Sequence, residues 1–248
     1  MSRMVIDDEM WARLEPLLPK PKGRPGKDDR LFIEGICWVL RTGAPWRDLP
    51  PDYGPWKTVY NRYNNWSKKG YIQAILDELK KDGDHEWHML DGSIVKVHQD
   101  ATRSCLNKPD EAIGASVGGL STKIHAKVDS FGQLMKIILS PGQIHESQFV
   151  FEAYDSEPCE FFLADKAYDI DAFRDHLRTD GVEAVIPSKK NRKQAQIHDE
   201  HIYKERNIVE RFFQKIKRFR RIATRYEKTA RMYIAGVMMV SILLAIGL

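Results

Sequence analysis

Three acidic residues of this 248-residue chain stand where a fold could gather them: Asp91 within an apolar run, Asp165 at the end of another, and Glu210 on a helix-forming stretch. Taken singly each has an ordinary reading, as a turn residue before Gly92, a helix N-cap and a partner in a surface salt bridge. Taken together they point to chemistry. Two aspartates on adjacent strands and a glutamate from the covering helix would repel and raise one another's pKa in the absence of a cation. Hard oxygen ligands with open positions suit Mg²⁺ or Mn²⁺. Two such ions about 4 Å apart activate a water or a 3′ hydroxyl and stabilise the leaving oxygen of a phosphodiester. Asp91, Asp165 and Glu210 are therefore the candidate metal ligands and catalytic residues.

Glu210 lies in Tyr203 to Lys217, which is read as one helix. Separations of 3, 4 and 7 place Tyr203, Arg206, Glu210 and Lys217 on one face. Ile208, Val209, Phe212, Phe213, Ile216 and Phe219 form an apolar face wide enough to bury against a sheet. Between the two lies a basic stripe of Lys204, Arg211, Lys215 and Arg218, of which Arg211, Lys215 and Arg218 are candidate DNA contacts.

Charge is divided unevenly. Residues 1–81 hold 15 Lys or Arg against 11 Asp or Glu, residues 82–186 hold 9 against 19, and residues 187–248 hold 15 against 5. An acidic middle followed by a basic segment suits carboxylates that work beside a polyanion-binding surface. Cys37, Cys105 and Cys159 are too few and too scattered for a disulfide framework or a zinc site, which fits a reducing cytoplasm. The N-terminus lacks a run of signal-peptide length. Met232 to Leu248 is apolar and uncharged but short for a span, so it is expected to be a helix buried by a sheet and a neighbouring helix.

Residues 1–81 read as a helical domain. Helices are expected over Asp7 to Leu18, over Leu31 to Leu40 and after Gly54-Pro55, with a Pro, Gly and Lys rich linker from Pro19 to Asp29 that contains Gly23-Arg24-Pro25. In the third helix Trp56, Val59, Tyr60, Tyr63 and Trp66 face inward. Lys57, Asn61 and Arg62 face outward, which is either a solvated face or a helix-turn-helix recognition surface in which Asn and Arg read base edges and Lys meets phosphate. Beyond a charged hinge at Lys80 to Glu86 come three strands, the last two a hairpin across Asp129-Ser130-Phe131-Gly132. His98 to Leu120 reads as a long connection. A strand ending on Asp165, a helix, the strand Val182 to Pro187 and two further helices complete a mixed sheet with helices on its faces. The basic loop after the last strand adds Lys189, Lys190, Arg192 and Lys193 to the candidate DNA contacts.

These motifs resemble the DDE transposases of bacterial insertion sequences, in the group named insertion sequence five. The spacing Tyr203, Arg206, Glu210, Lys217 fills that group's signature, and Leu90-Asp91-Gly92-Ser93, Ala164-Asp165-Lys166-Ala167-Tyr168-Asp169 and Trp46-Arg47-Asp48-Leu49-Pro50 are similar to the family's motifs. The chain departs from the pattern at Ala115 and Val117, where Arg is frequent, and at Glu146, where Asp is usual. The resemblance implies an α/β, ribonuclease H-like catalytic domain over 82–248, with Asp91, Asp165 and Glu210 as ligands and Tyr203, Arg206 and Lys217 as contacts to the transposon end. The expected protein is a DNA transposase using two Mg²⁺ or Mn²⁺ ions, binding terminal inverted repeats through residues 1–81. It is expected to work in the cytoplasm at the nucleoid, as a homodimer or larger synaptic assembly, with no membrane partner. The alternatives are a transposase-derived DNA-binding protein without catalysis and a nuclease of the same fold without strand transfer.

Overall fold

The computed structural model describes residues 4–20, 28–102, 111–192 and 194–248. Gly23-Arg24-Pro25, Cys105 and Lys193 lie outside them. The chain forms two compact units, one of Met1–Lys81, His98–Cys105 and Ile216–Leu248, the other of Asp82–Val97 and Leu106–Lys215. The C-terminal segment thus clusters with the N-terminal helices, whereas the sequence reading assigns everything after residue 81 to the second domain.

The first unit is helical. Helix α1 (Asp8–Leu14) starts where the Asp7 carboxylate accepts from Met10 N, and it tightens into a 3₁₀ turn at Glu15–Leu17. Helix α2 (Asp29–Thr42) is capped by Asp28 and stops at Gly43, whose φ of 75° is the left-handed conformation that glycine adopts freely. The Glu34 carboxylate, buried on α2, accepts from Val5 N and Ile6 N at 2.8 and 2.7 Å and ties the N-terminal segment down. Helix α3 (Trp56–Lys68) buries Val59, Tyr63 and Trp66, and α4 (Tyr71–Leu79) buries Ile72, Ile75 and Leu76. Two four-residue helices, α5 (Gln99–Thr102) and α10 (Arg220–Ala223), belong to this unit, as does α11 (Ala230–Ala245). The α11 helix is buried on nearly every side and packs against α2, α3, α4 and α10, so its cover is helical and not the sheet that the sequence suggests. Among the described residues no helix is long and apolar enough to cross a membrane.

The second unit is built on a mixed sheet. Strand β1 (Trp87–Val97) pairs antiparallel with β3 (Gly119–Val128), which pairs antiparallel with β4 (Leu134–Pro141) and, further along the same edge, with the short β2 (Gly114–Ser116). On its other edge β1 is parallel to β5 (Phe161–Ala164), and β5 is parallel to β6 (Glu183–Val185). Helices α6 (Val150–Tyr154), α7 (Asp171–Thr179), α8 (Glu200–Tyr203) and α9 (Asn207–Ile216) complete the unit. The stretch His98 to Leu120 holds α5 and β2 and is therefore not one open loop. The alternating side chains of β1 and β5 divide between two faces. Leu90, Phe162 and Ala164 join Val150, Tyr154, Phe173 and Leu177 in a single core. The opposite face takes Met89 and Leu163. Val209, Phe212, Phe213 and Ile216 of α9 are buried too, at about 1.5–3 kcal/mol for each large apolar side chain.

Candidate active site

Strand register brings the first two acids together. Because Leu90 lies opposite Ala164 in the parallel pair, the next positions on the two strands are Asp91 and Asp165. Neighbouring strands run about 4.8 Å apart, so two carboxylates stand side by side at the carboxyl end of the β1–β5 pair. Strand β5 ends there: the Asp165 carboxylate accepts from Ala167 N at 2.6 Å and starts a 3₁₀ turn at Lys166–Tyr168. The N-cap reading of Asp165 and its place beside Asp91 hold together, since the cap bond is made by one oxygen.

Glu210 arrives through Arg206. The stretch from Tyr203 to Lys217 is not one helix: α8 ends at Tyr203, Lys204–Arg206 is a 3₁₀ turn, and α9 runs from Asn207 to Ile216. Asn207 Nδ2 donates to Lys204 O at 2.7 Å, which favours the tightened turn. Side chains three apart eclipse in a 3₁₀ helix, and the Arg206 guanidinium accordingly sits 5.8 Å from the centre of the Tyr203 ring. Arg206 Nη1 lies 3.3 Å from Asp91 Oδ2, and its Nη2 donates to Glu210 Oε1 one helical turn on. The guanidinium therefore joins a strand carboxylate to a helix carboxylate. Burial pushes the Asp91 carboxyl up to about 6, Asp165 and Glu146 add to the rise, and Arg206 with the Gly92 backbone opposes it. Arg206 itself is raised: burial works against its charge, but Asp91, Tyr203 and Glu210 outweigh that.

Two residues at this place are given no role by the sequence reading. Glu146 lies against Gly92, where a Cβ would come within 2.9 Å of its Oε1, and it pairs with Lys123 at 3.2 Å. Tyr168 is fully buried, its hydroxyl has no hydrogen-bond partner, and burial followed by the charges of Glu146, Asp91 and Asp165 raises its pKa strongly. Glu146 was visible only as a departure from a pattern, and nothing in the spacing ties it to Asp91.

The remaining candidate contacts are scattered. Arg211 and Lys215 are exposed on α9, and Arg218 is exposed beyond it. Lys217 follows the last residue of α9 in a turn, so the helical repeat that would carry it to the Glu210 face stops one residue short; burial lowers its pKa. Lys189 is half-buried and Lys190 exposed. Arg192 is committed to acids, bonding Asp169 Oδ1 at 2.7 Å and also Asp171. In the first unit Lys57 and Asn61 face solvent, while Arg62 pairs with Asp29 and lies 4.1 Å over the Phe32 ring. These contacts draw Arg62 away from the solvated face that the periodicity assigns it.

The donor set suits a hard divalent cation. Asp91 and Asp165 offer adjacent carboxylate oxygens, the half-buried Asp91 is proton-hungry beside two further acids, and Glu210 is held near by an arginine that a cation could replace. Among the described residues no three acids, histidines or cysteines close on one point in this arrangement.

Comparison with known proteins agrees with the motifs. A family model described as "Putative transposase of IS4/5 family" matches residues 6–76, and one described as "Transposase DDE domain" matches residues 89–245. The chain is 33% identical over 120 residues to the "Putative transposase for insertion sequence element IS6501" of Brucella ovis, a stretch covering 48% of this chain and 92% of that one. It is 42% identical over 88 residues to the "Insertion element IS402 uncharacterized 16.2 kDa protein" of Burkholderia cepacia, covering 32% of this chain and 60% of that one. Among solved structures, the Mos1 strand transfer complex is 13% identical, with 83% of this chain and 80% of that one covered and a TM-score of 0.29, an overlap too loose to support an argument. With the DDE domain matched from β1 through α11 around Asp91, Asp165 and Glu210, the chain belongs to the transposase DDE domain family of insertion-sequence transposases.

Proposed function

We propose that this transposase cuts and joins DNA strands at the ends of its insertion element with Asp91, Asp165 and Glu210 as its metal ligands. The observation that supports this most is the register of β1 and β5, which sets Asp91 beside Asp165, together with Arg206, which links Asp91 to Glu210. Two Mg²⁺ or Mn²⁺ ions held there would supply the activated water or 3′ hydroxyl and the stabilised leaving oxygen of a phosphodiester exchange. The other roles fall to the chain's own groups. Arg206 orients Asp91 and Glu210 toward each other. Tyr203, eclipsed on Arg206, and Lys217 contact the transposon end, and Lys189 and Lys190 neutralise backbone phosphates. Lys57 and Asn61 on α3 contact the terminal inverted repeats, double-stranded DNA is the partner throughout, and synapsis of two ends calls for a dimer or larger assembly in the cytoplasm at the nucleoid.

The test begins with the DNA that flanks the coding region, where inverted repeats bracketed by a short direct duplication define the ends. A duplex carrying those ends should be nicked in Mg²⁺ and its 3′ end joined to a target plasmid. Nicking without joining identifies a nuclease, and end binding with neither reaction identifies a DNA-binding derivative; both outcomes contradict the proposal.

A further inference from the structure

The hairpin between β3 and β4 and the outer face of α9 enclose a cavity of about 210 Å³. Ile208 and Phe212 form its floor, Phe131 and Gly132 one wall, and Arg211 and Lys215 its rim. The wall is held stiffly. The buried Asp129 carboxylate accepts from Phe131 N at 3.0 Å and from Gln133 N at 2.8 Å, and Gly132 N donates to Asp129 O at 2.9 Å. Gly132 has a φ of 78°, a conformation that glycine adopts freely, and a Cβ there would press on Ile208 at 3.2 Å, so hairpin and helix lie close together at this residue. The turn so fixed presents the Phe131 ring at 68% exposure, the most exposed aromatic among the described residues with large exposed apolar side chains. An aromatic ring costs free energy in water, and this one lines the same cavity as two exposed cations, Arg211 and Lys215.

From this arrangement we infer that the cavity is a subsite for one unpaired nucleotide of the DNA, its base stacked on Phe131 and its phosphate held between Arg211 and Lys215. The inference rests on the DNA-processing reading above and extends it to the state of the strand. Two rim cations select an anion, and a free ring face selects a flat apolar group; a nucleotide is both. Within a duplex the base faces are covered by neighbouring pairs, so Phe131 reaches one only where the base is out of the stack. Proposing an unpaired nucleotide also explains why the ring sits beside the helix that presents Glu210, where strands would be opened for exchange.

The test compares binding of the full chain to a fluorescein-labelled dodecamer of thymidylate with binding to an abasic oligonucleotide of the same backbone length, by anisotropy without divalent ions. The wild type should bind the base-bearing strand about 10-fold more tightly than the abasic one, the increment expected of one base on one ring. Phe131→Ala should bring that ratio close to 1, and Phe131→Trp should restore it. Arg211→Gln with Lys215→Gln should weaken both oligonucleotides by the same factor and leave the ratio intact. Circular dichroism and thermal unfolding check that each variant is folded, as the exposure of Phe131 leads one to expect. A ratio unchanged by Phe131→Ala overturns the inference, as does a wild type that fails to distinguish the two strands. Sedimentation showing self-association that Phe131→Ala abolishes would assign the groove to a second copy and overturn it equally. Base discrimination by a protein that never cuts an element end would count against the transposition reading alone, and cutting without discrimination against this inference alone.

Discussion

Asp169 is buried and Asp91 half-buried, and their surroundings drive their charges in opposite directions. Burial pushes Asp169 up, but the Lys189 backbone N–H at 2.9 Å and the side chains of Arg174 and Arg192 outweigh it and hold the carboxyl below its ordinary value. Removing one partner from such a pair strands a buried charge, so Arg174→Met should lower the unfolding free energy by about 3–5 kcal/mol in urea melts at pH 7. In an Asp169→Asn background the same substitution should cost measurably less; equal costs would show that the pair is not coupled. Asp91 has one cation, Arg206, and two acids nearby, and its carboxyl rises to about 6. That contrast was not legible in the sequence. Arg192 reads there as one more cation of a basic loop, because the fold alone carries the loop back over Asp169 and Asp171. Asp91, Asp165 and Glu210 stand out in the sequence as candidates because strand pattern, helical spacing and motif all converge on them, whereas nothing in the spacing ties Glu146 to Asp91, and it reaches Gly92 by tertiary contact.

At the scale of elements, the sheet buries two histidines on neighbouring strands. Burial, then Lys127 and His85, brings His88 on β1 down to about 3; burial, then Lys123, brings His125 on β3 down to about 4. Both folded values lie below the ordinary 6.5, so the unfolded chain takes up the protons first. Their contribution is complete above pH 6.5 and is lost as the pH falls toward 4, at about 1.4 kcal/mol per pH unit for each histidine. Urea titrations at pH 6 and pH 5 should show this loss, and His125→Gln should reduce it by about one histidine's worth; an unaltered slope would mean that His125 titrates alike in both states. The strands β1, β3 and β4 were legible from their apolar and alternating sequence patterns and from the turn between the last two, although β3 turns out to be buried on both faces from Ser121 to Val128. The 3₁₀ turn at Lys204–Arg206 was hidden because helical spacing assumes 3.6 residues per turn throughout. The three-residue β2 was hidden because it is too short to show a period.

At the scale of the whole molecule, the net charges of +4, −10 and +10 along the chain put an acidic site and a basic segment in one polypeptide. Binding to non-specific duplex DNA should therefore weaken steeply with salt. Lys190→Gln should reduce the log-log slope by about 0.9, while Arg192→Gln, whose guanidinium bonds Asp169 and Asp171, should change the slope less and the stability more. Equal slopes for the two variants would place Arg192 on the DNA as well. The grouping of residues 216–248 with the helical unit was not readable from the sequence, since an apolar helix shows that it is buried and not by what. The claim on which the rest depends is that three carboxylates serve the cleavage step and not the grip on DNA. Single-turnover cleavage of a duplex carrying the element's ends, in Mg²⁺ and at saturating protein, measures this directly when paired with an end-binding assay. The prediction is that Asp91→Asn, Asp165→Asn and Glu210→Gln each slow cleavage by about 1,000-fold or more, the several kcal/mol expected of metal-assisted chemistry, while end binding stays within about twofold, because affinity comes from Lys and Arg. Near wild-type cleavage by any one of the three would contradict the account for that residue.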